Sequence, residues 1–478
     1  MEVPQPVRRL LEKGRGVLLP DADPGEYDAV AAVVRDRLGL RSLAAADGVR
    51  ATVVAVWIGS GPVTVVPPPT WPPLTRLRVR QAAGGWLTVL RFAAPVEVGA
   101  VVRELGAQAV HRGSGDLWSV RPRGTDHGSP PTGLDPRILN PMGFDPGADG
   151  PVVDAASLDL SAGVTESLVA SLRSAAGVRV SAWDPPTERA VRGLALAGVP
   201  VTAEGVPPSL APVADAVTAP VDLADPLARE EHSIVLRRAA LDAWAGLRQP
   251  SVSIVLATRR PDMLEHVLGQ VARQRGVASL ELVLAPHGFE PDETRVRGLL
   301  GPGVALQVRP QPGTAVFGDV LHDAATAAGG EVVLKMDDDD WYAPDAVADL
   351  CRARGYSGAE LVGMPAEFHY IEERDLTVRR GHTTEHYATF VAGGTMMVDR
   401  DVLREVGGFR AVRKYVDAQL LAAVRRAGGA IYRTHGLGYL LRRTASGHTW
   451  QVDLDYLLDP ERVVATCDGF RPSRLMAL

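Results

Sequence analysis

The feature that most constrains this chain is EVVLKMDDDDWYAPDAV at residues 331–347, where four consecutive carboxylates follow an apolar run. Asp337, Asp338, Asp339 and Asp340 repel one another when ionised inside a fold, so they either lie open to water or gather around a cation. The apolar run before them and Trp341 and Tyr342 directly after them hold the loop against the protein. An EF-hand-like calcium loop needs oxygens at alternate positions and then a glycine; the two aromatics at its fifth and sixth positions exclude it. Two readings stay open. One is a solvated acidic turn, with Asp345 favouring the start of the next helix. The other is a divalent-cation site in which one or two carboxylates hold the metal and a ligand's phosphates complete its shell.

The surrounding pattern places the run in a fold. SVSIVLAT, LELVLAP, VALQVRP and EVVLKM are short apolar segments suited to buried parallel strands. Between them, PDMLEHVLGQVARQ sets Leu264, Val267, Leu268 and Val271 on one helical face, and TAVFGDVLHDAATAAGG is a second helix ending at a glycine pair. Successive β-α-β units make a right-handed parallel sheet, which binds its ligands beyond the carboxyl ends of the strands. The aspartates stand at such an end.

At 478 residues the chain is long enough for two or three domains. Residues 1–112 read as an α+β domain with a helix-like opening (EYDAVAAVVRDRLGL) and an antiparallel hairpin in LTRLRVRQAAGGWLTVLRF, turning at Gly84-Gly85. Residues 113–150, dense in Gly, Pro and Asp, read as a linker. Residues 151–248 alternate strand and helix (VRVSAW, TERAVRGLALAG, VPVTAE) as a small α/β unit, joined by the charged helix PLAREEHSIVLRRAALDAWAGL to a domain at 249–478. No GxGxxG fingerprint occurs in the small unit.

A net charge of −6 gives no reason to expect a nucleic-acid partner. Two cysteines are too few for a disulfide framework, and Cys351 in AVADLCRARG reads as a small core residue. The N-terminus has no apolar stretch of signal-peptide length, and no run approaches the roughly 20 apolar residues of a membrane span. The expected location is the cytoplasm, with peripheral attachment at the inner face of a membrane left open.

From Ser251 to about Trp450 the chain resembles family-2 glycosyltransferases of the GT-A fold, of the non-processive bacterial type. The resemblance rests on an ordered series: SIVLATRRP, the helix before the aspartates, KMDDDDWYAPDAV, VAGGTMMVDRDVLREVGGF and YVDAQLLAAVRRAGG. It implies a Rossmann-like, mostly parallel sheet and a metal-dependent inverting transfer of one sugar from a nucleotide-sugar donor to a hydroxyl acceptor, a carbohydrate or glycolipid, in cell-surface glycan or glycoconjugate synthesis. In the D-x-D motif so matched, Asp337 and Asp339 contact the donor and an Mn2+ or Mg2+ ion, with Asp338 and Asp340 as alternates in register. A cation there stabilises the charge on the departing nucleoside diphosphate.

The resemblance further implies Asp417 as the catalytic base, Thr258, Arg259 and Arg260 beside the donor's base and ribose, and Gly393 and Gly394 along the acceptor pocket, with Trp341 nearby. Arg442 and Arg443 would hold the diphosphate and His448 would add a metal ligand. Each has a plainer alternative: an N-cap for Asp417, a tight turn for the glycines, an exposed loop for residues 258–260 and a surface histidine for His448. The chain also departs from the family. Val416 replaces the Glu of the usual Glu-Asp pair, and the second strand ends in LVLAPHGFE, with His287 and Gly288 where acidic residues are usual. The Q-x-x-R-W signature of processive synthases is absent. Two rival functions are a sugar-phosphate nucleotidyltransferase, whose Gly-rich basic loop ATRRP lacks, and a non-catalytic glycan-binding scaffold derived from a transferase.

Overall fold

A computed structural model of the chain describes residues 3–12, 14–35, 40, 43, 46, 48–59, 63, 65, 71–112, 118–122, 150–160, 163–172, 174–427, 429–444 and 454–478. Most of the expected linker at 113–150, and His448, lie outside the described residues. The chain divides into two compact units: Met1–Thr125 with Ala422–Ala430, and Asp126–Leu421 with Ile431–Leu478.

The first unit carries a five-stranded sheet in the order Gly16–Leu18, Gly25–Val34, Val49–Ile58, Gly85–Glu97, Leu74–Ala82. The first three strands are parallel and the last two form the expected hairpin. Its two-residue turn is Ala83-Gly84, both at positive φ (52° and 77°), the backbone that matches the twist of a tight hairpin. The expected helix at EYDAVAAVV is instead the strand Gly25–Val34. Its alanine and valine spacing permits a helical face, but a strand between two parallel neighbours must be apolar on both sides, and residues 29–32 are all buried.

In the second unit, Val201–Ala203, Gly177–Val180 and Val152–Asp154 form a small parallel sheet, as expected of an α/β segment. The main sheet has eight strands in the order Val304–Val308, Ser279–Pro286, Ser251–Thr258, Val332–Met336, Met397–Asp399, Leu361–Gly363, Ile431–Arg433, His386–Ala388. The first four are parallel; Met397–Asp399 runs against both its neighbours, and the edge strand is antiparallel as well. A second, five-stranded sheet runs Trp341–Tyr342, Tyr439–Arg443, Phe368–Ile371, Leu376–Arg380, Val463–Asp468. The mixed α/β class is therefore the expected one. Cys351 lies in the wholly buried helix Ala346–Ser357, where burial pushes its thiol up to about 12, as suits a core residue. Among the described residues no helix is long and apolar enough to cross a membrane.

The charged helix Pro226–Ala240 is largely buried. Asp225 caps it by accepting from Leu227 N–H, and Pro226 takes the first turn, where a missing N–H costs nothing. Its charges then enter the unit's interior. Arg237 pairs with Glu385 at 2.7 Å, Glu230 with Arg379 at 2.6 Å and Arg238 with Asp349 at 2.5 Å. Asp349 also meets Arg352 and His435, and Arg238 with His435 outweighs its burial and holds its carboxyl far below the usual range. Glu385, at a positive φ of 54°, accepts from Arg237, Tyr356, Tyr432 and Thr434 and from the backbone N–H of His435, so five donors hold a strained backbone in place.

Removing one partner of a buried pair leaves the other charge uncompensated, at about 3–5 kcal/mol each. A fragment beginning at residue 249 removes Arg238 from Asp349, Arg237 from Glu385 and Glu230 from Arg379 and is expected to be unfolded or molten. A fragment beginning at residue 150 keeps them and should melt cooperatively. Circular dichroism and urea unfolding of the two fragments make the comparison.

Candidate functional site

The central strand Val332–Met336 is buried throughout and delivers the aspartates past its carboxyl end, beside Thr258 at the end of the neighbouring parallel strand. Thr258 Oγ1 donates to Asp338, and Arg260 grips Asp338 through Nε (3.1 Å) and Nη2 while reaching Asp339 at 2.9 Å. Arg259 turns the other way, to the His287 ring at 2.9 Å and the Gly313 carbonyl at 2.7 Å. The backbone N–H of His287 donates to the Thr258 carbonyl and that of Gly288 to Gln311, so the carboxyl ends of three parallel strands meet here. Burial, then the nearby Arg259, lowers the His287 imidazole below its ordinary value and keeps it neutral at pH 7.

Asp340 faces inward. It accepts from Tyr439 Oη at 2.5 Å and from the Arg442 backbone N–H at 2.9 Å, while its carbonyl takes a 2.8 Å bond from the His266 ring. Burial and the charges of Asp339 and Asp337 push its carboxyl well above the usual range against those two hydrogen bonds. Asp339 is raised likewise by burial, with Arg260 opposing and Asp337 and Asp338 adding to the rise. Asp337 is the open member, its side chain 34% exposed against 11% for Asp339.

The first aspartate is joined to the distant Asp417 by a residue the sequence reading left out. Lys335 is buried, with Nζ 2.7 Å from Asp337 and 3.4 Å from Asp417. Two carboxylates outweigh the cost of its burial and raise its pKa. Asp417 stands in the first turn of the helix Val416–Arg426. Its Oδ1 is enclosed towards Lys335, yet the side chain remains 38% exposed. Burial raises its carboxyl above the ordinary value, Lys335 works against the rise and Asp337 adds to it.

Gly393 and Gly394 complete the bridge. A Cβ on Gly393 would stand 2.1 Å from Asp417 Oδ2, and one on Gly394 would stand 2.8 Å from Tyr342 Oη and 2.9 Å from Asp337 Oδ2. Tyr342 Oη accepts from the Asp337 N–H and donates to the Gly394 carbonyl, both at 2.9 Å. The glycine pair is thus the surface on which the two carboxylates rest, and its lack of side chains is what lets them approach. Trp341 sits apart, packed edge-on to His266 and Tyr370 and against Phe470, with the Arg442 guanidinium 5.5 Å from its ring centre. Arg442 also pairs with Glu372 at 2.5 Å. Arg443 ends the same strand beside Ile371.

The structure therefore brings together Thr258, Arg260 and Asp337–Asp340 on one side, and Asp337, Asp417, Gly393 and Gly394 on the other. Arg259 and Trp341 lie at the margins. Missed by sequence reasoning were Lys335, Tyr342, Tyr439 and Gly313. A lysine inside an otherwise apolar strand was the signal available for the first. Among the described residues, no three His, Cys, Asp or Glu side chains stand close enough together to hold a metal ion unaided.

No protein-family model matches the chain, and no curated protein sequence does. Among solved structures, it is similar to a mannosyltransferase from Pyrobaculum calidifontis in complex with GDP-Man and Mn2+, at 16% identity over 42% of this chain and 59% of that one, with a TM-score of 0.34. It is also similar to S. aureus TarS 1-349, at 16% identity over 40% of this chain and 60% of that one (TM-score 0.32). To the same protein in complex with UDP-GlcNAc it is 14% identical over 44% and 64% (TM-score 0.33). The chain spans about three fifths of the length of these structures, and likeness at this level assigns neither residues nor activity.

Lys335→Met should leave Asp417 facing Asp337 with nothing to offset burial. The Asp417 carboxyl is then expected to titrate higher than in the wild type, because the cation that lowers it is gone while both causes that raise it remain. Carboxyl-carbon NMR titration of Asp417 in the two proteins reads the direction of the change.

Proposed function

We propose that residues 249–478 catalyse the transfer of one sugar from a nucleotide-sugar donor to a hydroxyl of a carbohydrate or glycolipid acceptor, with inversion at the anomeric carbon. The observation that carries the reading is the bridge from the aspartate run through Lys335 and Gly393-Gly394 to Asp417. It sets an acidic strand end beside a half-open carboxylate with a raised pKa. Support also comes from the ordered motifs at SIVLATRRP, DDDD and YVDAQLL.

A divalent cation fits the donor set. Asp337, Asp338, Asp339, Asp340 and Asp417 face two cationic side chains, Lys335 and Arg260, so the cluster carries excess negative charge and offers hard oxygen ligands. Asp337 and Asp339 would hold Mn2+ or Mg2+, with the donor's phosphates completing the shell. Asp340, engaged by Tyr439 and the Arg442 backbone, sets the loop's shape. When bound, the ion supplies positive charge for the leaving diphosphate.

The protein's own residues do the rest. Thr258 and Arg260 fix Asp338 beside the donor, and Arg259, held by His287 and Gly313, lies where base and ribose would sit. Arg442 and Arg443, on the strand Tyr439–Arg443, would meet the phosphates once Arg442 leaves Glu372. Gly393 and Gly394 would let the acceptor approach Asp417, and Trp341, apart from them, would meet only a distal part of it. Asp417 takes the proton of the acceptor hydroxyl as that oxygen bonds to the anomeric carbon, and the carbon–oxygen bond to the diphosphate breaks on the opposite face, its electron pair leaving with the nucleotide. The N-terminal unit would select the acceptor.

The first test is a melting-temperature screen of nucleoside diphosphates with and without Mn2+, since a ligand bound only by the folded state raises the transition by linkage. Asp339→Asn should abolish the metal-dependent rise while its melting temperature without ligand stays near wild type. A rise of full size in this variant removes the metal assignment.

Asp417→Asn should slow transfer by about 10²–10⁴-fold, the scale of lost acid–base assistance, with donor affinity little changed. Asp417 is the second residue of its helix and not the N-cap the sequence allowed, and Asn keeps the size of its side chain, so a purely structural role predicts near-normal turnover instead. Transfer rates and calorimetric donor affinities of the two proteins decide, and a product that retains the donor's anomeric configuration would overturn single displacement.

A further inference from the structure

A second concentration of charge lies outside the acidic centre, and it is positive. His369 comes from the strand Phe368–Ile371, Arg380 ends Leu376–Arg380, and His382 follows one glycine later. His386 and Arg433 are cross-strand partners at the edge of the main sheet, their side chains 3.2 Å apart (Nε2 to Nη2). Nitrogens of all five are enclosed without a hydrogen-bond partner: Nδ1 of His369, Nε of Arg380, Nε2 of His382, Nδ1 of His386 and Nε of Arg433. Of these residues His369 is 1% exposed and Arg380 5%.

Nearby acids are committed elsewhere. Glu385 is taken by Arg237 and its four other donors, Glu367 by Arg379 at 2.7 Å, and Asp459 by Arg462 at 3.3 Å. The Arg380 guanidinium lies over the Tyr456 ring, 4.6 Å from its centre, and not against a carboxylate. Arginine cannot shed its proton to relieve the cost of burial. Histidine can, and does. Burial, Arg380 and His382 bring His369 down to about 3, and burial, Arg433, Arg380 and Arg462 bring His382 to about 4. His386 is lowered by burial and Arg433, with Glu385 opposing. Two arginines with buried, idle Nε–H donors and three imidazoles driven neutral describe a site short of one anion.

We propose that His369, Arg380, His382, His386 and Arg433 form a binding site for a phosphoryl oxyanion, sharing no residue with the acidic centre. Five nitrogens exceed what the two oxygens of one carboxylate readily engage, whereas a phosphoryl group presents three acceptor oxygens to arginine forks. The partly exposed His382, His386 and Arg433 give the approach from solvent. The anion lifts the depressed imidazoles, so binding takes up protons and tightens as the pH falls. The groups facing them are Arg380, Arg433, Arg462 with its partner Asp459, Glu385 and Tyr456. The ligand is either free phosphate or the phosphate of a larger substrate, and the site stands whether or not the chain transfers sugar.

The test uses the full chain, freed of metal by a chelator and titrated calorimetrically with inorganic phosphate, glycerol 3-phosphate and dimethyl phosphate near pH 6 and near pH 8. Binding stronger than ~10 mM, tighter at the lower pH, is expected from at least one of them. Equal affinity for free phosphate and the esters identifies the free anion as the ligand; preference for an ester identifies a substrate's phosphate. Arg433→Gln and His382→Gln should each weaken binding about tenfold or more, and Asp339→Asn should not change it. Both altered positions are partly exposed, and circular dichroism without phosphate shows which variants are folded; His382→Gln alone suffices if Arg433→Gln is not. No binding by the folded wild type, full binding by a folded variant of the pair, or loss in Asp339→Asn overturns the proposal.

Discussion

Like charges at the end of a buried strand are tolerable only when each is given its own counter-group, and the second unit is arranged around that requirement. Asp338 has Thr258 and Arg260, Asp340 has Tyr439 and a backbone N–H, and Asp337 shares Lys335 with Asp417. Asp339 shares Arg260 with Asp338, and burial, with Asp337 and Asp338 adding to it, raises its pKa against that guanidinium. The counter-groups come from three places: the end of the strand Ser251–Thr258, the central strand Val332–Met336 and the strand Tyr439–Arg443. The sheet order, with the antiparallel Met397–Asp399 strand next to the central one, is what carries Gly394 to Asp337.

The same logic operates with stronger pairing along the helix Pro226–Ala240. There every buried acid meets an arginine, and the pairs join segments more than 100 residues apart in sequence, such as Arg237 with Glu385 and Arg238 with Asp349. Buried ion pairs stabilise little relative to apolar packing, but they penalise every arrangement that separates the partners. The small α/β segment is bound into this scheme: His232 bonds the Val201 carbonyl at 3.0 Å and Arg237 Nε donates to the Leu196 carbonyl at 3.1 Å. The main sheet and the segment before it thus share one set of charges.

Sequence alone made the acidic run, the parallel strands and the Gly-Gly segment legible, because apolar periodicity and runs of one residue type are local signals. Asp417 was singled out only through the resemblance of YVDAQLLAAVRRAGG to a family motif. What stayed hidden depended on partners distant in the chain. Lys335 reads as one polar residue in an apolar strand until Asp417, 82 positions later, is seen beside it. The inward turn of Asp340 depends on Tyr439, and the isolation of Arg433 depends on acids being occupied elsewhere, which no window of sequence can express. The strand at Gly25–Val34 was misread for a related reason: alanine and valine at close spacing suit both periods, and only the neighbours at Gly16–Leu18 and Val49–Ile58 decide between them.

Lysine is nearly absent from this chain, with three among 51 basic residues, yet one of the three fills the most enclosed cationic position at the centre. Elsewhere arginine reaches paired carboxylates with a flat, forked head. Between Asp337 and Asp417 the need is for a compact tip whose donors splay in different directions, which an ammonium supplies and a planar guanidinium does not. The chain's preference for arginine therefore stops where stereochemistry forbids it, and an arginine introduced at 335 would be a foreign shape, however conservative it looks on paper.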